Sequence, residues 1–248
     1  MRRRDVRWLT ARPIAHRGLH DIMAGIPENT LAAFAVAMTA GYAIECDVLL
    51  TADGEVVVFH DEELSRLTGA EGIVAETTLA AMKELRVLGT AEAPPSLAEL
   101  LALVGGRVPL VIELKSHGAA GPLEAAVARL LRGYRGEAAV MAFAPASVAW
   151  FRRNAPDIVR GQLSASYRGE AEPDAFRRFA YRHLLMVPWT RPDFVAHEVT
   201  CLRLPMTRLW RRFGGPLLTW TVKTRADLAE ARRYADAPIF EGIDPSAG

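Results

Sequence analysis

Residues 43–61 read AIECDVLLTADGEVVVFHD, and this stretch decides the fold. Two apolar runs, 42–50 and 55–60, have the composition of β-strands. Only Thr51-Ala52-Asp53-Gly54 lies between them. A parallel crossover needs on the order of a dozen residues, so the two runs must form an antiparallel hairpin. The Asp-Gly step in its turn sets the register. The chemistry of the hairpin is unusual: Glu45 and Asp47 stand where a buried strand would take valine, and the second run closes on His60-Asp61.

Working outward, further strand-like runs occur at 12–16, 108–115, 138–143, 157–164, 183–187, 216–222 and 237–240. Between most of them lie stretches of helical periodicity, such as ENTLAAFAVAMTAG, SLAELLALVGG and PLEAAVARLLRG. Asn29, Ser96 and Thr224 are the expected helix caps, and Gly105-Gly106 reads as a helix stop. Strands alternating with helices argue for a parallel sheet with right-handed crossovers. With the second run of the hairpin set aside as an arm, eight strands remain, the number that closes a (β/α)8 TIM barrel. HEVTCLRLP (197–205) is left as a loop or an extra strand. The expectation is an α/β chain forming one barrel domain over residues 1–248. The arm follows the second strand, and a small excursion at 62–107 precedes the third barrel strand.

Composition narrows the function classes. The chain has 248 residues, half of them hydrophobic, and a formal net charge of +1. That balance provides no basic footprint for nucleic acid, so no such partner is expected. The start, MRRRDVRWLTARP, has no apolar h-region behind its basic residues. No run approaches the roughly 18–20 apolar residues of a membrane span. A cytoplasmic protein without stable membrane insertion is expected. Cys46 and Cys201 sit among apolar residues and read as buried free thiols. LRLPMTRLWRRFGG (202–215) reads as an amphipathic barrel helix with Leu209 and Phe213 on its inner face, in preference to a lipid-binding patch. Of thirty basic residues only Lys83, Lys115 and Lys223 are lysines, so a lysine at a chemically placed position stands out.

The polar residues fall at telling places. His16-Arg17 follows the first strand. Glu45 and Asp47 are two apart and so leave the same face of the second strand, and Glu113 and Lys115 repeat that spacing. His60 ends the arm. Chemistry in a barrel gathers at the C-terminal ends of the strands. A buried carboxylate is costly unless it is paired, protonated or bound to a metal. Three acids from two strands suit a hard divalent cation, Mg²⁺ or Ca²⁺, while an ion-pair network with Arg17 and Lys115 is the other reading that the spacing permits. Two imidazoles flanking one acidic strand can serve as general base and general acid near neutral pH. With a metal and two cations they suit a reaction in which charge develops on phosphoryl oxygens.

HRG at 16–18, PENTLAAF at 27–34, the 45–61 block, VPLVIELK at 108–115 and LTWTV at 218–222 occur in that order. Together they resemble the glycerophosphodiester phosphodiesterase family over most of the chain. The resemblance implies a TIM barrel in which His16 and His60 perform acid–base catalysis. It implies one divalent cation, Mg²⁺ or Ca²⁺, on Glu45, Asp47 and Glu113. Arg17 and Lys115 would contact the phosphate, and Trp220 would line the pocket. Glu28 and Asn29 would steady the HRG loop, and Asp61 would orient the His60 arm without binding the ion. The implied activity is metal-dependent hydrolysis of small glycerophosphodiesters to sn-glycerol 3-phosphate and an alcohol. Lysophospholipase-D-like hydrolysis at the same site and a non-catalytic phosphate-binding barrel are the alternatives. The chain departs from the family pattern in three places. The last strand runs into IFEGIDP in place of a Thr-Asp-like step, Ala142 replaces a serine, and the spacer LHDIMAGI is long.

Overall fold

A computed structural model describes residues 4–116, 119–167 and 174–246. Its strands are β1 (Ile14–Ala15), β2 (Ala43–Leu50), β3 (Val56–Val58), β4 (Leu110–Leu114), β5 (Ala138–Ala142), β6 (Val159–Ser164), β7 (Phe194–Glu198), β8 (Leu217–Val222) and β9 (Ala237–Phe240). They lie in the order β1-β9-β8-β7-β6-β5-β4-β2-β3, and β1 pairs back to β2. Eight parallel strands therefore close a barrel with helices around it. β3 stands outside as an arm, antiparallel to β2 with Val48 opposite Val58 and Leu50 opposite Val56. The turn is tied by the Thr51 N–H, which donates to Glu55 O at 2.9 Å, and Gly54 adopts φ 76° in it.

The barrel count is as expected, but one strand lies elsewhere. Residues 183–187 are not a strand: the chain turns there and enters a short helix, Val187–Thr190, with Pro188 in its first turn. Proline suits that position because the missing N–H has no helical partner there. The seventh strand is Phe194–Glu198, the sequence FVAHE. Phe194 and Ala196 face the barrel interior, while Val195 packs on the outer layer. Its period of two is clear in the structure and was masked in the sequence by the polar His197-Glu198 end. The 197–205 run contributes only its first two residues to β7 and then coils into a 3₁₀ turn, Val199–Cys201.

The same alternation sorts β2. Ile44, Cys46 and Val48 pack outward under the helices, in one core cluster with Leu97, Leu100 and Ile112. The other face, Ala43, Glu45 and Asp47, points inward. Low in the barrel the inward face is apolar, with Ile14, Val111, Met141, Leu163, Phe194 and Ile239 in one buried cluster. Val6 and Leu9 pack against that cluster from the N-terminal segment. A Cβ on Gly161 would lie 2.3 Å from the Phe194 ring, so β6 forgoes a side chain to admit it. This apolar plug leaves the upper end of the barrel to the polar residues.

Residues 62–107 divide into two parts. The first packs Leu64, Leu67, Val74 and Met82 against Val57 and Phe59 of the arm. The second is a barrel helix, Leu97–Val104, opened by a capping box on Ser96 and closed at Gly105 with φ 54°. The Thr224 cap also forms, but the first helix, Leu31–Thr39, is capped by Thr30 and not by Asn29. The helix Pro205–Arg212 also corrects an expectation: Leu209 and Phe213 are outward, 42% and 70% exposed. Its inner face is set by buried Thr207 and by Trp210, whose Nε1–H donates to Pro216 O at 2.8 Å. Both cysteines are buried and free. Among the described residues, no helix is long and apolar enough to cross a membrane.

His197 gives the fold an acid-sensitive point. It is fully buried, its Nε2–H donates to Arg182 O at 3.0 Å, and burial pushes its pKa down to about 4. The unfolded chain, with an ordinary value near 6.5, takes up this proton first. The contribution is thus complete above about pH 6.5 and is lost as the pH falls toward 4, at a cost of about 3 kcal/mol. Denaturant titrations at pH 7 and pH 4 should show a smaller stability loss in His197→Gln than in the wild type. An equal loss in both would refute this origin.

Candidate active site

The loop after β1 is shaped by its backbone. Arg17 adopts φ 55° and Gly18 φ 79°, and a Cβ on Gly18 would come within 2.9 Å of the Ala33 carbonyl carbon. Only glycine fits that conformation and that contact. The turn directs the Arg17 N–H to Glu45 Oε2 at 3.0 Å and the Gly18 N–H to Glu45 O at 3.2 Å. Asn29, at φ 56°, donates its N–H to Arg17 O at 3.0 Å and its Nδ2–H to Asp47 Oδ2 at 2.9 Å. Glu28 accepts from Arg17 Nη1 at 2.7 Å. The PENT segment thus ties the HRG loop to β2.

Strand pairing assembles the acids. Asp47 of β2 and Glu113 of β4 are direct register partners, and Glu45 sits one inward position below Asp47. Carboxylate oxygens of Glu45, Asp47 and Glu113 lie within 4.8 Å of one another, and all three residues are buried. Lys115 Nζ bonds closely to Glu113 Oε1 and lies 3.1 Å from Asp47 Oδ1, while Arg17 Nε is 3.2 Å from Asp47 Oδ2.

These charges do not balance evenly. Burial opposes the Asp47 charge, yet the Lys115 ammonium and the Arg17 guanidinium hold its carboxyl well below the usual range. Burial, reinforced by the Asp47 and Glu113 charges, pushes Glu45 well above its ordinary value. Burial pushes Glu113 up to about 7, against the pull of Lys115. The Lys115 ammonium is itself disfavoured by burial, but Asp47 and Glu113 outweigh that and keep it charged. Glu45 Oε1 is buried with no hydrogen-bond partner among the described residues. Three converging carboxylates, two of them resisting charge and one with an orphaned oxygen, fit a hard divalent cation better than a closed ion-pair network.

Both histidines face this cluster. His16 Nε2 is 4.0 Å from Glu45 Oε2, and its Nδ1 bonds Glu241 Oε2 at 2.8 Å. His60 follows β3, where the Phe59 N–H donates to Asp47 O at 3.0 Å, so the arm is tied back to the acidic strand. His60 Nδ1–H donates to Asp61 Oδ1 at 2.5 Å. Burial lowers the His60 pKa. Arg66 bonds closely to Asp61 and reaches Glu28 Oε1 at 2.9 Å, joining the arm to the HRG loop.

His16, Arg17, His60, Lys115 and Trp220 surround a cavity of about 130 Å³ floored by Met141, Leu163 and Ile239. Phe143 meets Trp220 edge to face at 5.4 Å. An outer cleft of about 550 Å³ shares His60, Glu113, Lys115 and Phe143 with this cavity. A larger cleft, about 970 Å³, borders residues that precede β7, β8 and β9 at the opposite end of the barrel. It contains none of the acidic cluster, and Arg4–Asp193 and Arg211–Asp236 are paired within it. Size alone therefore does not locate the site.

Each sequence-predicted site residue lies in this constellation. Sequence reasoning missed Arg66, Phe143, Lys223 and Glu241. The scarcity of lysine and the departure at IFEG were the signals available for the last two.

Fold and site together define the class: a TIM-barrel hydrolase with its polar residues gathered at the C-terminal mouth. Residues 16–240 match the glycerophosphoryl diester phosphodiesterase family, and the chain belongs to that family. Bacillus subtilis YhdW, named as a candidate glycerophosphodiester phosphodiesterase, is 36% identical over 230 residues, 88% of each chain. A glycerophosphodiester phosphodiesterase of Caldanaerobacter subterraneus is 45% identical over 111 residues, 42% of this chain and 44% of that one. An Oleispira antarctica phosphodiesterase, solved with the product sn-glycerol-3-phosphate, superposes with a TM-score of 0.77 at 25% identity, covering 92% of each chain.

Proposed function

We propose that this chain hydrolyses glycerophosphodiesters to sn-glycerol 3-phosphate and an alcohol. Glu45, Asp47 and Glu113 would hold one divalent cation, Mg²⁺ or Ca²⁺, and His16 and His60 would act as general base and general acid. The observation that carries the reading is the convergence of both imidazoles, two cations and the acid triad on one small cavity. The product bound by the Oleispira relative supports the choice of substrate class.

A bound cation would supply positive charge to the phosphoryl oxygens. Arg17 and Lys115, which line the cavity with both imidazoles, would bind the phosphate and hold it for attack. Nε2 of His16 takes the proton of the attacking hydroxyl, either a neighbouring hydroxyl of the substrate or a water. As the new P–O bond forms, the bond to the departing alcohol breaks, and its oxygen takes a proton from Nε2 of His60. Trp220 and Phe143 offer an apolar wall to the carbon skeleton. The outer cleft sets Leu114, Phe143 and Ala144 beside the acids Asp61, Glu62 and Glu63.

Incubating the protein with divalent cation and diesters of several alcohols, and with a lysophospholipid, tests the reading. Release of sn-glycerol 3-phosphate and free alcohol from the diesters is expected. No release from any diester would overturn it.

A further inference from the structure

The rim of the barrel carries a relay across three strands. β8, β9 and β1 are neighbours, with Val222 opposite Phe240 and Phe240 opposite Ala15. The next residue along each strand is therefore level with the other two: Lys223, Glu241 and His16. Backbone bonds hold this alignment, since the His16 N–H donates to Phe240 O at 3.0 Å and the Glu241 N–H to Val222 O at 3.1 Å. Lys223 Nζ donates to Glu241 Oε1 at 2.9 Å, and Glu241 Oε2 accepts from His16 Nδ1 at 2.8 Å. Each carboxylate oxygen thus has its own partner.

An ionised carboxylate can only accept, so this bond requires the imidazole hydrogen on Nδ1. In the neutral ring Nε2 is then the nitrogen with the lone pair, on the side nearer Glu45. The His16 bond also keeps the Glu241 carboxyl charged, at a pKa of about 2. Glu241 does not line the inner cavity, and its side chain meets a cavity residue at the His16 ring. At His60, too, a carboxylate orients the ring, with Asp61 on Nδ1 and itself held by Arg66.

We propose that Glu241, fixed by Lys223, is a positioning residue that locks His16 in its Nδ1–H tautomer and aims Nε2 into the cavity. The inference rests on the proposed role of His16 as general base. It also gives the divergent IFEG end of the last strand a purpose: the glutamate is long enough to span from β9 to both neighbouring strands.

The test compares the wild type with Glu241→Ala, Glu241→Gln, His16→Ala and the double variant Glu241→Ala/His16→Ala. Glu241→Ala should lower kcat by about 10–100-fold and leave KM within about threefold. Glu241→Gln, whose amide oxygen can still accept from Nδ1–H, should stay within about tenfold of the wild type. In the His16→Ala background, removing Glu241 should cost less than about twofold, because its effect runs through the missing ring. Nitrogen-15 NMR of His16 should show Nδ1–H in the wild type and a move toward Nε2–H in Glu241→Ala. Wild-type kcat in Glu241→Ala, a full loss persisting in the His16→Ala background, or an unchanged tautomer would each overturn the proposal. A wild type inactive on every diester would sink the enzymatic reading, and the NMR comparison would still decide the relay.

Discussion

His60→Ala is expected to lower kcat for diester hydrolysis by about 10²–10⁴-fold, with the fold and divalent-cation affinity nearly intact. The size follows from its assigned task. An alkoxide is a poor leaving group unless a proton arrives as the P–O bond breaks, and among the described residues His60 is the histidine that borders the cavity from the arm side. Cation affinity should survive because His60 is not one of the converging carboxylates. The loss should ease when the departing alcohol is replaced by one of low pKa, such as a nitrophenol, which leaves without a proton. The same activated substrate should not relieve His16→Ala, whose defect lies in activating the nucleophile. Steady-state kinetics of both variants on a natural diester and a nitrophenyl diester check the assignment. Wild-type turnover in either variant, or equal relief of both, contradicts it.

Glu45→Gln carries the second large effect. Amide replaces carboxylate at nearly constant shape, and the Arg17 N–H can still donate to the remaining carbonyl oxygen. The variant would lose one of the three proposed anionic ligands, so hydrolysis should fall to background at cation concentrations that saturate the wild type. Stability should move the other way. Burial and two neighbouring acids disfavour the Glu45 charge, so its removal should leave the metal-free variant at least as stable as the metal-free wild type. The wild type should gain about 2.7 kcal/mol at a cation concentration of about 100 Kd, a shift that the variant should lack. Melting curves with and without Mg²⁺ or Ca²⁺ read both halves. A variant less stable than the wild type in chelator would mean that Glu45 is a structural ion-pair member.

Much of this site was legible because local constraints determined it. Four residues between two strand-like runs permit only a hairpin, and a spacing of two puts Glu45 and Asp47 on one face. What the sequence could not disclose depends on contacts made far along the chain. Glu241 meets His16 only because the first and last strands pair in a particular register. Arg66 reaches Glu28 and Asp61 only because a short helix packs on the arm. The location of β7 was missed for a different reason. HLLMV is a more apolar run than FVAHE, but Pro188 and the left-handed Leu184, at φ 55°, bend it away from any strand. Leu209 and Phe213 were placed inward by hydrophobicity alone, whereas Trp210 takes the inner position and its indole fills the space over Gly215.

On the proposed reading, the acid triad and the two imidazoles act as one metal-dependent hydrolytic site. Its most direct test is release of sn-glycerol 3-phosphate from a glycerophosphodiester by protein stripped with chelator and then resupplied with Mg²⁺ or Ca²⁺. Turnover should fall to background on stripping and return on resupply. Turnover that continues undiminished in chelator would contradict the account.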